Sequence, residues 1–175
     1  MKILDKLANI SAIIVAIVAV VILAKGTFRQ APAQSAPRAA MERLATDLKG
    51  AKIDLPGADL GAAGVKTVVL SLSVNCHFCE QSAPFYQKLR TLSGNGVKFK
   101  LVAALPQEPE LAETYLKLRQ VQVDRLVSSH PLIDRGLSST PTLLIVGDSG
   151  KVEQVWVGLL TGAGQQEVLA KLGVG

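Results

Sequence analysis

Residues 67–86 have the sequence TVVLSLSVNCHFCEQSAPFY, and this stretch decides the fold class. It begins inside a β-branched apolar run, residues 65–74, of the kind expected for a central strand that is buried on both faces. Cys76 and Cys79 follow the end of that run. Apolar residues then recur at helical spacing over residues 82–92. The stretch therefore predicts a pair of cysteines at a junction between a strand and a helix.

Strand and helix patterns continue to alternate through the rest of the chain. The predicted strands are residues 65–74, 97–105, 142–146 and 152–157, and the predicted helices are residues 39–48, 82–92, 111–121 and 161–172. Residues 147–150 (GDSG) predict a hairpin turn between the last two strands. Four apolar side chains are expected to pack in the core: Leu111, Tyr115, Leu118 and Leu126. The order of elements predicts a mixed α/β fold, a central mixed β-sheet flanked by helices.

An apolar segment lies near the N-terminus. Residues 7–24 have the sequence LANISAIIVAIVAVVILA, which as a helix would be about 27 Å long and so just long enough to cross a bilayer. The alternative is a cleaved signal peptide, which the basic start and the small residues Ala31 and Ala33 favour. Lys25 and Arg29 between the apolar segment and those alanines disfavour it. We expect an N-terminal transmembrane helix.

The chain is expected to divide into three parts. Residues 1–26 form the membrane anchor or signal peptide, residues 27–50 a linker and a short helix, and residues 51–175 the folded domain. Residues 1–38 carry five basic side chains and one acidic side chain, which leaves 14 basic and 13 acidic residues in the remainder. Because the folded part is almost neutral, the charge distribution argues against nucleic acid as a partner.

The spacing of the two cysteines is typical of a reversible redox dithiol. Cys76 is expected at a helix N-terminus, where unpaired N–H groups favour the thiolate that attacks disulfides. Cys79 would then be the resolving thiol. The residues between them, His77 and Phe78, are predicted to tune the redox balance, although a solvated His77 with little effect is an equal alternative for the histidine. A cysteine pair in a loop without a redox role is the alternative for the motif as a whole.

No third cysteine is present, so any disulfide relay must pass to another molecule. Zinc would have four nominal ligands in Cys76, Cys79, His77 and His130. His77 lies between the two cysteines and is hard to aim at the same ion, so no metal site is predicted, and no other cofactor is expected. His130, which precedes Pro131 in a predicted loop, is expected to be structural.

Two stretches together resemble the thioredoxin-like family, in particular its membrane-anchored TlpA-like or redoxin-type branch. They are residues 67–86 and residues 138–158 (SSTPTLLIVGDSGKVEQVWVG). The resemblance covers about residues 50–175. It implies the thioredoxin-like fold and an activity that reduces, oxidises or isomerises disulfides in exported proteins.

The resemblance also implies roles for Thr140 and Pro141, which precede the strand at residues 142–146. Pro141 matches the cis-proline of the family, with an ordinary trans proline in a turn as the alternative. Thr140 would offer its backbone N–H and C=O to an extended substrate, and Pro141 would keep metals away from the thiols. The chain departs from the family at Asn75, where a tryptophan is usual.

A second departure from the family concerns a missing carboxylate. The strand before the cysteines holds no carboxylate, although many family members use one to manage the proton of the second cysteine. Glu80, Glu108 or Glu113 are the candidates to replace it.

The expected function is that of a thiol–disulfide oxidoreductase at the bacterial inner membrane, with a single span and its C-terminal domain on the periplasmic or outer side. Its expected partners are cysteine-containing exported proteins and a membrane redox partner that recharges the dithiol. The alternative is a non-catalytic thioredoxin-like module that binds peptides or acts as a scaffold at the membrane. A thiol peroxidase is a weaker third hypothesis, because Ser73 matches only part of the pattern such enzymes need.

Overall fold

The computed structural model describes residues 35–61, 64–94 and 97–174. Ala40–Gly175 form one compact unit. The predicted membrane segment, residues 7–24, lies outside the described residues. Within the three described stretches, no helix combines the length and the apolar character needed to cross a bilayer.

The compact unit is built on one mixed sheet of five strands. The strands are β1 (Lys66–Ser71), β2 (Phe99–Leu105), β3 (Arg125–Ser128), β4 (Thr142–Val146) and β5 (Val152–Val157). Their order across the sheet is β3-β2-β1-β4-β5. β1, β2 and β3 run parallel to one another, whereas β4 pairs antiparallel with both β1 and β5. The sheet thus joins a parallel half to a C-terminal hairpin, which is the mixed architecture that the sequence predicts.

Five helices accompany these strands in the described part of the chain. They are α1 (Ser35–Leu48), α2 (His77–Gly94), α3 (Pro109–Leu118), α4 (His130–Ile133) and α5 (Gly162–Lys171). The largest difference from the predicted boundaries is at α2, which begins five residues before Ser82 and continues through Pro84. Its first turn forms because the Glu80 N–H donates to the Cys76 carbonyl at 3.2 Å. Pro84 removes only one later bond of the helix, since it lacks an N–H.

The sequence prediction missed two short elements, β3 and α4. β3 has only four residues, of which Val127 alone is buried, so it shows neither the alternation nor the apolar run that marks a strand. Its pairing with β2 defines it instead. The predicted loop around His130 is also wrong, because His130 is the first residue of α4.

The core is divided between the two faces of the sheet. Side chains alternate along β1, so that Val68 and Leu70 contribute to one apolar cluster and Val69 to the other. The first cluster takes in residues of α2, α3 and α5, among them Leu89 and Val168. The second takes in residues of α1 and α4. β1 is therefore buried on both faces, and the chain that leaves its end has a fixed position.

The predicted buried face of α3 is wrong in two places. Tyr115 is buried, but Leu111 is 52 % exposed and Leu118 is 75 % exposed. The helix instead buries Ala112 and Leu116 beside Tyr115. Both sets of residues have helical spacing, so the sequence pattern could not choose between two neighbouring stripes of the same helix. Leu126, the fourth residue of the predicted set, is half-buried on β3.

Asp124 ties the start of β3 to its neighbours. Its carboxylate accepts hydrogen bonds from the Leu101 N–H and from Arg90 Nη1, both at 2.7 Å. Burial would raise the pKa of this carboxyl, but these hydrogen bonds and the charges of Arg90 and Lys100 outweigh it and lower the pKa below its usual value. The ionised carboxylate therefore stabilises the junction between β2 and β3.

We expect Asp124→Ala to lower the free energy of unfolding by about 1–3 kcal/mol at pH 7, because the buried Leu101 N–H loses its acceptor. A carboxyl with a lowered pKa stabilises the fold above its unfolded pKa of about 4, and this contribution is lost as the pH falls through the folded value. The difference between the variant and the unchanged protein should therefore shrink in acid. Urea denaturation at pH 7 and at acid pH measures this difference.

Asp59→Ala is the matched control, because Asp59 forms an ion pair with Lys100 but its side chain is 75 % exposed. Its effect should stay below about 0.5 kcal/mol. Equal effects of the two substitutions would contradict the role given to Asp124.

Candidate functional site

The two cysteines lie where β1 passes into α2. β1 ends at Ser71, and Cys76 immediately precedes the first residue of α2, His77. Cys76 and Cys79 form a disulfide, with 5.2 Å between their Cα atoms. Cys76 is half-buried, whereas Cys79 is only 1 % exposed. One sulfur of the pair therefore belongs to a residue at the surface and the other to a residue in the core.

Backbone N–H groups converge on Cys76. The Cys79 N–H donates to Cys76 Sγ at 3.1 Å and to the Cys76 carbonyl at 3.0 Å. Cys76 thus occupies the N-cap position, where a side-chain acceptor meets the free N–H groups of the first helical turn. After reduction, the same N–H and the helix dipole would stabilise a thiolate at Cys76.

His77 and Phe78, the two residues predicted to tune the pair, are both exposed on the first turn of α2. His77 Nε2 lies 2.9 Å from Gln81 Nε2, and the ring centroids of His77 and Phe78 are 5.9 Å apart. Phe78 is 53 % exposed, which is unusual for an aromatic side chain of its size. The residues between the cysteines therefore form part of the surface around Cys76.

The sheet register brings Pro141 to the same end of the sheet as Cys76. Ser71, the last residue of β1, pairs with Thr142, the first residue of β4. Pro141 directly precedes Thr142, is buried, and follows a cis peptide bond from Thr140. The cis isomer is the one that the family resemblance implies.

Thr140 directly precedes this proline, at the end of the sheet where Cys76 lies. The Gly158 N–H donates to the Pro141 carbonyl at 2.7 Å. Among the described residues, neither the N–H nor the C=O of Thr140 has a hydrogen-bond partner. Thr140 is half-buried, so part of the residue lies at the surface.

The three candidate carboxylates are placed differently. Glu80 forms an ion pair with Arg119, and both side chains are more than one third exposed. Glu108 and Glu113 are exposed at the start and in the middle of α3. None of the three has a hydrogen bond to Cys79 within the described stretches.

Two buried tyrosines, Tyr86 on α2 and Tyr115 on α3, are also unsuited to give up a proton at neutral pH. Burial raises the pKa of Tyr86 to about 12, although a hydrogen bond with Ser82 works against it. Burial also raises the pKa of Tyr115, against the effect of the neighbouring Arg119 charge. Both side chains therefore stay protonated and act through packing.

The sequence prediction missed two contacts that support the site. Gln107 Nε2 donates to Ser73 Oγ at 3.2 Å, and the Ser73 carbonyl accepts the Cys76 N–H at 3.2 Å. The second contact is the pairing of Arg119 with Glu80 described above. Each joins residues more than 30 positions apart, and no local sequence pattern reports such a distance.

His130, the remaining candidate zinc ligand, lies on α4, where its Nδ1 is 2.7 Å from Ser128 Oγ. In residues 35–61, 64–94 and 97–174, no group of three or more His, Cys, Asp or Glu side chains is arranged to hold a metal ion. His130 therefore connects the start of α4 to the end of β3.

Comparison with known proteins identifies the fold. No protein-family model and no curated protein sequence matches the chain. Solved structures do match it. A thiol-disulfide isomerase from Corynebacterium glutamicum is 14 % identical, with a TM-score of 0.56 over 73 % of this chain and 97 % of that one. A Chlorobium tepidum protein, assigned as the thiol:disulfide interchange protein DsbE, is 21 % identical, with a TM-score of 0.54 over 71 % and 96 % of the two chains.

A third match is a secreted disulfide oxidoreductase of Mycobacterium tuberculosis that is homologous to Escherichia coli DsbE. It is 11 % identical, with a TM-score of 0.50 over 63 % of this chain and 82 % of that one. At these identities the likeness concerns the fold. The chain has the thioredoxin-like fold, as the sequence resemblance predicts.

We expect the two thiols of the reduced protein to differ in reactivity. Iodoacetamide should modify Cys76 at least about tenfold faster than Cys79 at pH 7, because Cys76 is accessible and its thiolate accepts the Cys79 N–H. Mass spectrometry after timed quenching measures both rates. In urea the two rates should approach each other. Equal rates in the folded protein would contradict the assignment of Cys76 as the attacking thiol.

Proposed function

We propose that this chain with the thioredoxin-like fold is a thiol–disulfide oxidoreductase, in which Cys76 is the nucleophile and Cys79 the resolving thiol. One observation carries the proposal: an accessible Cys76 at the N-cap of α2 is joined by a disulfide to a buried Cys79. Exchange needs one sulfur that a client can reach. It also needs a second sulfur that stays within reach of the first and away from other thiols.

The exchange reaction balances without any cofactor. In the oxidising direction, a client thiolate attacks Cys76 Sγ, the Cys76–Cys79 bond breaks, and Cys79 leaves as a thiolate that takes up a proton. A second client thiolate then attacks the client sulfur of the mixed disulfide, and Cys76 leaves as a thiolate. The client gains a disulfide and the chain gains two electrons. The reducing direction is the reverse, with Cys76 attacking and Cys79 resolving.

We further propose that the client docks on the surface that surrounds Cys76. The backbone groups of Thr140 have no partner within the described stretches and can pair with an extended client segment in the manner of strand addition. Phe78 and Leu159 supply apolar contact area, with Leu159 41 % exposed immediately after the Gly158 that binds Pro141. Backbone pairing with a few apolar contacts suits clients that share cysteines rather than a common sequence.

The proposed setting is the outer side of a bacterial inner membrane, with cysteine-containing exported proteins as clients. Disulfides persist in oxidising compartments, and the similar Mycobacterium tuberculosis protein is a secreted one. The apolar segment at residues 7–24 supplies the proposed anchor. Because the chain has no third cysteine, we propose a membrane redox partner that recharges the dithiol.

The competing function is a non-catalytic module that holds peptides beside Thr140 while the disulfide stays inert. The backbone groups of Thr140 and the exposed Phe78 would serve such a module equally well. The two functions differ in whether the Cys76–Cys79 disulfide exchanges with thiols in solution, and the following experiment decides between them.

We expect the full-length protein to exchange reversibly with glutathione or dithiothreitol. A potential near about −270 mV would make it a reductant, and one near about −120 mV an oxidant. Cys76→Ser should abolish exchange, whereas Cys79→Ser should accumulate mixed disulfides because Cys76 can attack but nothing resolves the product. Trapping the thiols and counting them by mass spectrometry measures the potential of the unchanged protein and the behaviour of both variants. A disulfide that never titrates would leave the peptide-binding module as the function.

We expect Leu159→Ser to raise the KM for a peptide disulfide by about threefold to tenfold, the effect of losing a modest apolar contact. Exchange with a small disulfide such as oxidised glutathione should not change. Leu118→Ser is the matched control, since Leu118 is equally large and more exposed but lies on α3. Steady-state kinetics with both substrates measures the effect. A similar rise in KM for the control would contradict a client surface at Leu159.

A further inference from the structure

An ion pair joins the active-site helix to the end of α3. Arg119, the C-cap residue of α3, donates from Nη2 to Glu80 Oε1 on the first turn of α2. The guanidinium carbon lies 5.8 Å from the centre of the Tyr115 ring. A cation at this distance from an aromatic ring is attracted to its face. Arg119 is therefore held between a carboxylate and a buried aromatic side chain.

The backbone of Arg119 is fixed as well. Its N–H donates to the Tyr115 carbonyl at 3.1 Å, and its carbonyl accepts from Gln87 Nε2 at 2.8 Å. Gln87 lies two turns further along α2 than Glu80. Arg119 Nε is buried and has no partner among the described residues, so the guanidinium meets Glu80 through its Nη2 end. The position of the cation therefore follows from two contacts with α2, one with Glu80 and one with Gln87.

Glu80 is a charged residue on the first turn of α2, beside the disulfide. It follows Cys79 directly, and its own N–H donates to the Cys76 carbonyl. The chain segments on the other sides of the site, residues 138–141 (SSTP) and 158–161 (GLLT), contain no charged residue. His77 on the same turn and Glu108 before α3 are exposed. The charge on the first turn of α2 therefore depends strongly on whether Glu80 is neutralised.

We propose that Arg119 is a positioning residue that holds and neutralises the Glu80 carboxylate and thereby sets the redox balance of the Cys76–Cys79 pair. This inference rests on the proposed function. Reduction of the disulfide takes two electrons and one proton and yields a Cys76 thiolate with a protonated Cys79. Only the reduced state carries a negative sulfur, so an unneutralised carboxylate beside it disfavours reduction. Arg119 removes that penalty without touching either sulfur.

Three variants of the full-length protein test the proposal: Arg119→Gln, Glu80→Gln and the double substitution. We expect Arg119→Gln to shift the equilibrium with glutathione about threefold toward the disulfide, which is the size of a Coulomb effect between partly exposed groups. The pH midpoint of Cys76 alkylation should rise. Glu80→Gln should shift both quantities the other way. The double variant should lie close to the unchanged protein, because the two residues act as a pair.

Two further variants separate this role from a structural one. Arg119→Lys keeps the charge and should recover most of the shift. Lys100→Gln removes the same charge from the ion pair with Asp59, opposite Thr67 and away from the Ser71 end of β1, and should leave both quantities unchanged. A loss of stability in Arg119→Gln with no shift in either quantity would overturn the proposal, as would an equal shift in Lys100→Gln.

The readouts also separate this inference from the function on which it rests. If the unchanged protein failed to exchange with glutathione, the proposed function would fall. The alkylation midpoint of the chemically reduced protein would still show whether Arg119 and Glu80 control the thiolate. If exchange occurred but the single variants matched the unchanged protein in both quantities, only the role of Arg119 would fall.

Discussion

The pairing of β1 with β4 is the constraint on which the rest of the structure depends. β1 is buried on both faces, and its last residue, Ser71, lies opposite the first residue of β4. Because the two strands are antiparallel, the chain leaves β1 at the point where it enters β4. The cysteine motif follows the first strand and Pro141 precedes the second. A slip of one residue in this register would turn the core side chains of β1 to the opposite faces, so the core itself fixes the geometry of the site.

The same junction makes the two cysteines unequal. The chain turns out of the sheet through a loop that Gln107 holds by its bond to Ser73, and α2 begins directly after Cys76. The first cysteine therefore caps the helix at the surface, and the second, one turn later, faces inward among the apolar side chains of the first cluster. A surface sulfur near free N–H groups favours a thiolate, whereas a sulfur in an apolar core does not. The chemical asymmetry thus follows from the position of the pair at the junction between β1 and α2.

Much of this could be predicted from the sequence, and the failures have physical causes. β1, β4 and β5 were predictable because β-branched runs and a glycine turn are local signals. The cysteine motif was predictable from its spacing, and the role of Pro141 from the resemblance to the thioredoxin-like family. β3 was missed because it is short and half-exposed, so only its pairing with β2 defines it. The exposed stripe of α3 was misassigned because Leu111 and Leu118 have the same spacing as core residues.

The ion pair between Glu80 and Arg119 could not be predicted for a related reason. Glu80 was a candidate only as a proton acceptor, a role suggested by the missing acid in β1, and Arg119 carried no signal at the end of a helix 39 residues away. In the structure the Glu80 carboxylate accepts from Arg119 Nη2 and, among the described residues, makes no hydrogen bond to Cys79. Its effect on the thiols is then electrostatic. Because residues 138–141 and 158–161 beside the site carry no charge, the balance of one such pair shifts the equilibrium between the disulfide and the dithiol.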